Sequence, residues 1–396
     1  MKYIVIIGDG MADFPIEELD GKTPLMVAHT PFMNAMANMG FCGKVNTVPE
    51  GFSPGSDVAA MSIFGYDPAK YYTGRAPIEA AGMGIELEAA DVAFRCNLVS
   101  LDIKAEKTVM ADYSGGHITT EEAEVLIQTL NEKMGNDEIH FFPGVSYRHI
   151  LVWKGGMWQM SSTPPHDITG KEINTYLPDG EGAARVLSLM EESQRILGGH
   201  PLNSKRKEAG KLPANSIWLW GQGKRTRLPS YTEKYQVKGA TVAAVDLVKG
   251  VSRLAGFDAP YVAGATGYLD TDYRAKAQKT LELLKDHDIV YVHIEAPDEA
   301  SHNGDLKEKI KAIESIDADI VGTLLKEVED GTRFLIVTDH ATPISMKTHY
   351  ATPVPFVIYD KGRKVEGVPT GYDERIGEGV ISGEEMIIKF IRGQKP

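Results

Sequence analysis

Residues 3–10 read YIVIIGDG. Tyr3 to Ile7 form a short, unbroken apolar run that stops at a glycine and an aspartate. A run of this length without polar alternation is the pattern of a strand covered on both faces, as in a parallel sheet. Four later runs share it: Ala240 to Val245, Ile289 to Ile294, Phe334 to Val337 and Pro355 to Tyr359. Helical patterns, Ala275 to Asp286 and Leu306 to Asp330, lie between some of them. Strand and helix in alternation predict an α/β domain with a mostly parallel sheet, flanking helices and right-handed crossovers. The first strand is N-terminal and the others lie beyond residue 240. The stretch between differs: it has polar helical patterns at Thr119 to Lys133 and Gly182 to Leu197, a short strand at His149 to Lys154, and loops such as STPPHDITGK. A smaller α+β domain, residues 87–236, is therefore expected to be inserted into a core of residues 1–86 and 237–396.

The composition narrows the function classes. The chain has 396 residues, of which 42% are hydrophobic and 24% charged, enough for a sizeable core. A formal charge of −13 argues against a nucleic-acid or acidic-membrane binder. Any anionic substrate must then be held by local arginine, lysine or metal. Cys42 and Cys96 are the only cysteines, too few for a disulfide framework or a thiolate zinc site. No stretch approaches the ~18 apolar residues of a membrane span, and the opening apolar run is too short for a signal peptide. A reducing cytoplasm is the expected compartment.

The residues after the strands carry the chemistry. Asp9 follows the first strand; Asp298 and His302 follow IVYVHI in IVYVHIEAPDEASH; Asp339 and His340 follow RFLIVT, with His349 nine residues on. Ligands of open α/β sheets bind at the carboxyl ends of the strands, so three strands deliver acids and imidazoles to one edge. Asp298 and His302, four apart, share a face if that turn is helical. Singly, each has an ordinary explanation as a turn former, cap or structural histidine. Together they form an oxygen and nitrogen ligand set suited to Mn²⁺ or Zn²⁺, with Mg²⁺ also possible, and numerous enough for two ions.

Two-ion sites serve displacement at phosphorus, for which a nucleophile is needed. In VPEGFSPGSDVAAMSIFGYDP (48–68), Ser56 follows a Pro/Gly-rich loop and opens an apolar helical pattern. Its ordinary role would be a helix N-cap. Beside the ligand set it becomes the candidate nucleophile, placed where helix amide groups can receive a phosphate.

These residues resemble the alkaline phosphatase superfamily in order and character. Within it the chain is similar, nearly end to end, to archaeal-type 2,3-bisphosphoglycerate-independent phosphoglycerate mutases. The likeness runs through GDGMAD, GSDVAAMSIFGYDP, YYTGRAPIEAAGMGI, DVAFRCN, PGVSYRH, TPPHDITGK, NSIWLWGQG and HIEAPDEASH. The resemblance implies an alkaline phosphatase-like α/β fold and two divalent ions. One would be held by Asp298, His302 and His349, the other by Asp9, Ser56, Asp339 and His340. It also implies a phosphoserine on Ser56, an inserted domain closing over a small anionic phosphorylated substrate, and no 2,3-bisphosphoglycerate. Substrate candidates are Arg148 in SYRH, His166 and Asp167 in PPHDIT, Arg75 in TGRAP and Arg274 in TDYRAK; Lys249 is a candidate for the phosphoryl oxygens. Arginine can grip a carboxylate or phosphate with two hydrogen bonds, and a His–Asp pair can relay protons. The expected reaction is interconversion of 3- and 2-phosphoglycerate. A bacterial branch of the resemblance suggests a homoserine kinase-like phosphotransferase instead, although the chain has no GxxxxGK(S/T) loop; a metal-dependent phosphatase would use the same site. Oligomeric state is open at this level.

Overall fold

The computed structural model describes residues 1–104, 107–363, 371–377 and 379–393. It divides into two compact units, Met1–Tyr72 with Arg227–Pro396, and Thr73–Thr226.

The first unit is built on a seven-stranded sheet in the order Gly239–Val242, Ile289–Ile294, Tyr3–Gly8, Arg333–Thr338, Val354–Asp360, Phe41–Asn46, Val380–Ser382. The first four strands are mutually parallel and every residue of the central three is buried. Burial on both faces explains their unbroken apolar composition. Their register is level: Gly8 stands opposite Ile294 on one side and Thr338 on the other. The next residue of each strand therefore leaves the sheet at the same height. Val354–Asp360, expected to be parallel, instead runs antiparallel to both of its neighbours. A doubly buried strand is apolar whichever way it points, so composition could not reveal its direction.

The stretch Leu306 to Asp330 is not one uniform helix. Leu306–Ser315 passes into a wider π-helical turn, Ile316–Val321, before Gly322–Glu327. Within that turn Asp317 accepts hydrogen bonds from the Phe32 and Met33 amides at 3.2 and 2.7 Å. These amides open the helix Pro31–Met39, whose own N-cap residue, Thr30, makes no side-chain cap bond. A distant carboxylate thus satisfies helix-end donors that local sequence leaves bare.

In the second unit, Val92–Ile103 pairs antiparallel with Arg148–Trp153 and with Ser216–Lys224, and at its far end with Thr108–Asp112; Ile139–Phe142 lies beyond Arg148–Trp153. The helices Thr120–Met134 and Ala183–Gly198 lend Leu126, Leu130, Val186 and Leu189 to its core around Trp218. The unit begins earlier than residue 87 because helix Arg75–Gly82 packs on Val92–Ile103 and Ser216–Lys224. It ends before residue 236 because Tyr231 belongs to the first unit, where its hydroxyl meets that of Tyr291 at 2.8 Å. Arg75 accordingly lies in the inserted unit. Among the described residues no helix is long and apolar enough to cross a membrane.

Replacing Asp317 by alanine is expected to cost about 1 kcal/mol, the usual loss for a helix cap, with the Asp317→Asn variant recovering most of it. The shift in urea midpoint of the first unit, followed by far-ultraviolet circular dichroism, measures both.

Candidate functional site

Level register brings the strand-end residues together. Asp9 and Asp339 follow Gly8 and Thr338 and are 3% and 1% exposed. Gly10 (φ +63°) turns the chain directly after Asp9. A Cβ there would fall 2.7 Å from both Asp298 Oδ1 and Thr342 Oγ1, so glycine is required for space as well as conformation. The Gly10 and His340 amides both donate to Asp339 Oδ1, at 3.0 and 2.8 Å. Asp298 and His302 stand one turn apart on helix Ala296–Asn303, and the loop beyond Ala341 returns with His349.

The side chains converge. His340 Nε2 lies 3.1 Å from Asp339 Oδ2, 3.6 Å from Asp9 Oδ1 and 3.2 Å from Ser56 Oγ. Asp298 meets His302 Nε2 at 3.1 Å and His349 Nε2 at 3.5 Å, and the two imidazole nitrogens are 3.0 Å apart. Among the described residues two triads have donor atoms within 4.8 Å of one another, Asp9–Asp339–His340 and Asp298–His340–His349. His340 belongs to both, whereas the resemblance had assigned it to the Asp9 group alone; the Asp298 pair with His302 and His349 is also present.

The donor set fits divalent cations. Asp9 Oδ1 and Asp339 Oδ2 are buried without a hydrogen-bond partner, a costly arrangement unless something positive lies between them. Burial, then the Asp339 and Asp298 carboxylates, pushes Asp9 well above the usual carboxylate range. Burial holds His340 down to about 4, so the ring is neutral, as a ligand must be. The His302 Nδ1 donates to the Lys347 carbonyl at 3.0 Å, which leaves Nε2 facing Asp298.

Behind Asp9 lies a row of alternating charges that the strand reading did not anticipate. His293 Nε2 is 3.3 Å from Asp9 Oδ2, its Nδ1 is 2.9 Å from Glu295, and Glu295 is 3.2 Å from the fully buried Lys276. Burial works against a charged His293, yet Glu295 and Asp9 outweigh it and raise the imidazole to about 10. The available signal was His293 itself, a titratable residue inside an otherwise apolar strand.

Ser56 is the first residue of helix Ser56–Ile63, and Gly55 is its N-cap. The serine is therefore not a cap. Its hydroxyl points to His340, at the end of the helix where first-turn amides lack intrahelical partners. Lys249 is on helix Asp246–Leu254, which packs against Ser56–Ile63, and is 3.8 Å from Asp246. Arg274 does not join the cluster: its exposed guanidinium donates to Asp319 at 2.8 Å.

The inserted unit gathers cations. Arg95, buried and unrecognised as a candidate from sequence, is 3.1 Å from Glu79 and sits 4.7 Å above the Trp220 ring, with its Nε unpartnered. Arg75 donates to Glu79 at 2.7 Å and stands 5.8 Å from the same ring. Arg148 is exposed beside Tyr147, close enough to Arg95 and Glu79 to act on both electrostatically. His166 packs edge-on to Trp220 and is 3.7 Å from Asp167 in the short 3₁₀ turn Pro165–Ile168. Arg75, Arg95 and His166 thus meet at Trp220, while Arg148 stands beside Tyr147 within electrostatic reach of Arg95.

Comparison with known proteins decides the family. A profile of 2,3-bisphosphoglycerate-independent phosphoglycerate mutases matches residues 37–203. The chain is 53% identical over 376 residues to a probable 2,3-bisphosphoglycerate-independent phosphoglycerate mutase of Geobacter sulfurreducens, covering 94% of each. It is 50% identical to the Methanosarcina acetivorans mutase of that description, covering 98% of this chain and 97% of the relative. The chain belongs to the 2,3-bisphosphoglycerate-independent phosphoglycerate mutases. Among solved structures, a Pyrococcus horikoshii protein matches at TM-score 0.83 with 32% identity, covering 100% of this chain and 98% of its own. The Thermoplasma acidophilum cofactor-independent phosphoglycerate mutase matches at TM-score 0.63 and 28% identity, with 99% and 98% covered. As a member of this family the chain is an isomerase that moves a phosphoryl group within its substrate.

One neighbour of this mutase's arginine cluster ties its insertion to pH. His149 accepts from the Gly144 amide on Nδ1, and burial, then Arg95 and Arg148, lowers it to about 3 from its ordinary 6.5. The unfolded chain takes up this proton below pH ~6.5, while the folded unit resists until pH ~3. The stability contributed by neutral His149 is thus complete above pH ~6.5 and lost as pH falls towards 3. Trp153, Trp158, Trp218 and Trp220 are the only tryptophans and all lie in this unit. Their fluorescence should show a unit that becomes easier to unfold over that window, and a flatter profile in His149→Asn.

Proposed function

We propose that this chain interconverts 3-phosphoglycerate and 2-phosphoglycerate without 2,3-bisphosphoglycerate, through a phosphoserine on Ser56. The first unit carries out phosphoryl transfer, and the inserted unit recognises the glycerate portion. The observation that carries the reading is the position of Ser56: its hydroxyl stands at a helix N-terminus, 3.2 Å from His340 Nε2, beside two buried carboxylate oxygens without partners.

Asp9, Ser56, Asp339 and His340 would hold one divalent ion, and Asp298, His302 and His349 the other; Mn²⁺ and Zn²⁺ suit the imidazole-rich set best. When bound, such ions supply positive charge to the phosphoryl oxygens and acidify the serine hydroxyl. In the forward direction Ser56 Oγ forms a bond to phosphorus as the bond to the substrate oxygen breaks, and that oxygen leaves as the protonated hydroxyl of glycerate. First-turn amides of helix Ser56–Ile63 receive the phosphoryl oxygens. The other glycerate hydroxyl then attacks phosphoserine and regenerates Ser56. His166 and Asp167 move the proton between the two hydroxyls, while Arg75, Arg95 and Arg148 hold the carboxylate. Lys249, on the helix packed against the serine helix, is the lysine best situated to steady the transferred group. Arg274 is left out because Asp319 holds it.

Ser56→Ala is expected to lower turnover by about a thousandfold or more, as loss of a covalent nucleophile does, with circular dichroism unchanged. The assay supplies 3-phosphoglycerate with Mn²⁺ and scores 2-phosphoglycerate, free phosphate and, separately, phosphorylation of homoserine by ATP. Dominant free phosphate would make the chain a phosphatase, phosphohomoserine would make it a kinase, and activity that survives EDTA would remove the metal requirement.

A further inference from the structure

Thr342 is not among the residues that the ligand pattern singles out, yet it touches both halves of the cluster. It is fully buried, in the turn after Asp339 and His340, where its amide donates to the Ala12 carbonyl at 3.1 Å and its own carbonyl accepts from Lys309 at 3.0 Å. The backbone of this residue is therefore pinned from two sides. Its Oγ1 lies 2.5 Å from Asp298 Oδ1 and 3.1 Å from His340 Nδ1.

A hydroxyl has one proton to give and lone pairs to receive others, whereas an ionised carboxylate can only accept. The Thr342 proton is therefore given to Asp298, and the contact with His340 must run the other way, from ring N–H to hydroxyl oxygen. That places the His340 proton on Nδ1 and leaves the lone pair on Nε2. Nε2 is the atom that faces Asp339, Asp9 and Ser56. With the opposite tautomer, Thr342 would face a bare Nδ1 lone pair with its only proton already engaged; the Nε2–H would then face Ser56 Oγ and Asp339 Oδ2, and it is this pull that the Thr342 contact opposes.

The geometry points to Thr342 as a positioning residue: its single hydroxyl selects the His340 tautomer that can ligate a cation, and links that imidazole to Asp298. The link joins one ligand group to the other, so it aligns the two with respect to each other as well as individually. The inference rests on the two-ion reading for its consequence in metal binding, but the tautomer itself is a property of the metal-free protein. Gly10 belongs to the same device, since a side chain there would strike Thr342 Oγ1 and Asp298 together.

The test uses metal-free full-length protein labelled with [¹⁵N]histidine, with the His340 signals assigned by their loss in His340→Gln. Long-range ¹H–¹⁵N correlation should show the proton on Nδ1 in the wild type. Thr342→Val keeps the shape and deletes the hydroxyl; it should shift His340 towards the Nε2–H form. Thr342→Ser keeps the hydroxyl and should retain the wild-type tautomer. Zinc titration by calorimetry should show about 10–100-fold weaker binding in the valine variant, the usual effect of removing a partner of a ligating histidine, with the serine variant close to wild type. A wild-type ring protonated on Nε2 overturns the inference without any variant, even if the valine variant fails to fold. So does a valine variant with unchanged tautomer or undiminished zinc affinity. Wild-type protein that binds no zinc or manganese would instead defeat the two-ion reading, while the tautomer measurement still stands as a separate result.

Discussion

The first unit is organised around buried negative charge. Asp9, Asp339 and Asp298 are brought within reach of one imidazole, His340, by three strands in level register and a helix start. Taking carboxylates out of water costs several kcal/mol each unless they are paired, and two of their oxygens have no partner in the protein. What surrounds them limits that cost without removing it. Backbone amides of Gly10 and His340 serve Asp339, His293 serves Asp9, and Glu295 with Lys276 balances His293 in turn. The remaining electrostatic demand is for a cation, and Ser56 stands beside that place. Stability has been given up locally in favour of a site that attracts metal.

The inserted unit solves the converse problem. A chain with net charge −13 must concentrate positive charge to hold an anionic substrate. Arg75 and Arg95 share Glu79, which keeps two like charges close together, and Trp220 provides a face over which both guanidiniums lie. Burial lowers Arg95 to about 10, against the pull of Glu79, and this still leaves it charged at neutral pH. An unpartnered Arg95 Nε is the complement of the unpartnered aspartate oxygens in the first unit. Each unit thus withholds from internal pairing the kind of group that its proposed ligand would satisfy.

Much of this was legible in the chain. The five apolar runs are strands, and the acids and histidines that follow them do converge, because parallel strands in level register release their next residues at one edge. The capping box of Thr119 and Glu122 opens Thr120–Met134, one residue from where the sequence pattern places it. The remainder was illegible for specific reasons. Phe41–Asn46 carries Gly43 and Lys44 and has no continuous apolar signature. The direction of Val354–Asp360 leaves no trace in its composition. Arg95 lies within the quoted DVAFRCN motif, but an arginine in a strand is distinguished from a surface residue only by what covers it. Arg274 is the reverse case: its residue type suits an anion, while the fold sets its exposed guanidinium beside Asp319.

By itself the sequence determined the elements, the interruption of one domain by another, and the chemical inventory: oxygen and nitrogen ligands, a serine opening a helix, and too few thiols for a disulfide framework or a thiolate zinc site. These follow from residue type and short-range spacing, which the chain carries explicitly. The tertiary structure alone decided the sharing of His340 between ligand groups, the charge row behind Asp9, the Trp220 face under two arginines and the placing of the Thr342 hydroxyl between Asp298 and His340. Each depends on atoms brought together from distant segments, where a shift of an ångström exchanges a ligand for a surface residue. Spacing along a chain does not encode distances of that kind; packing does.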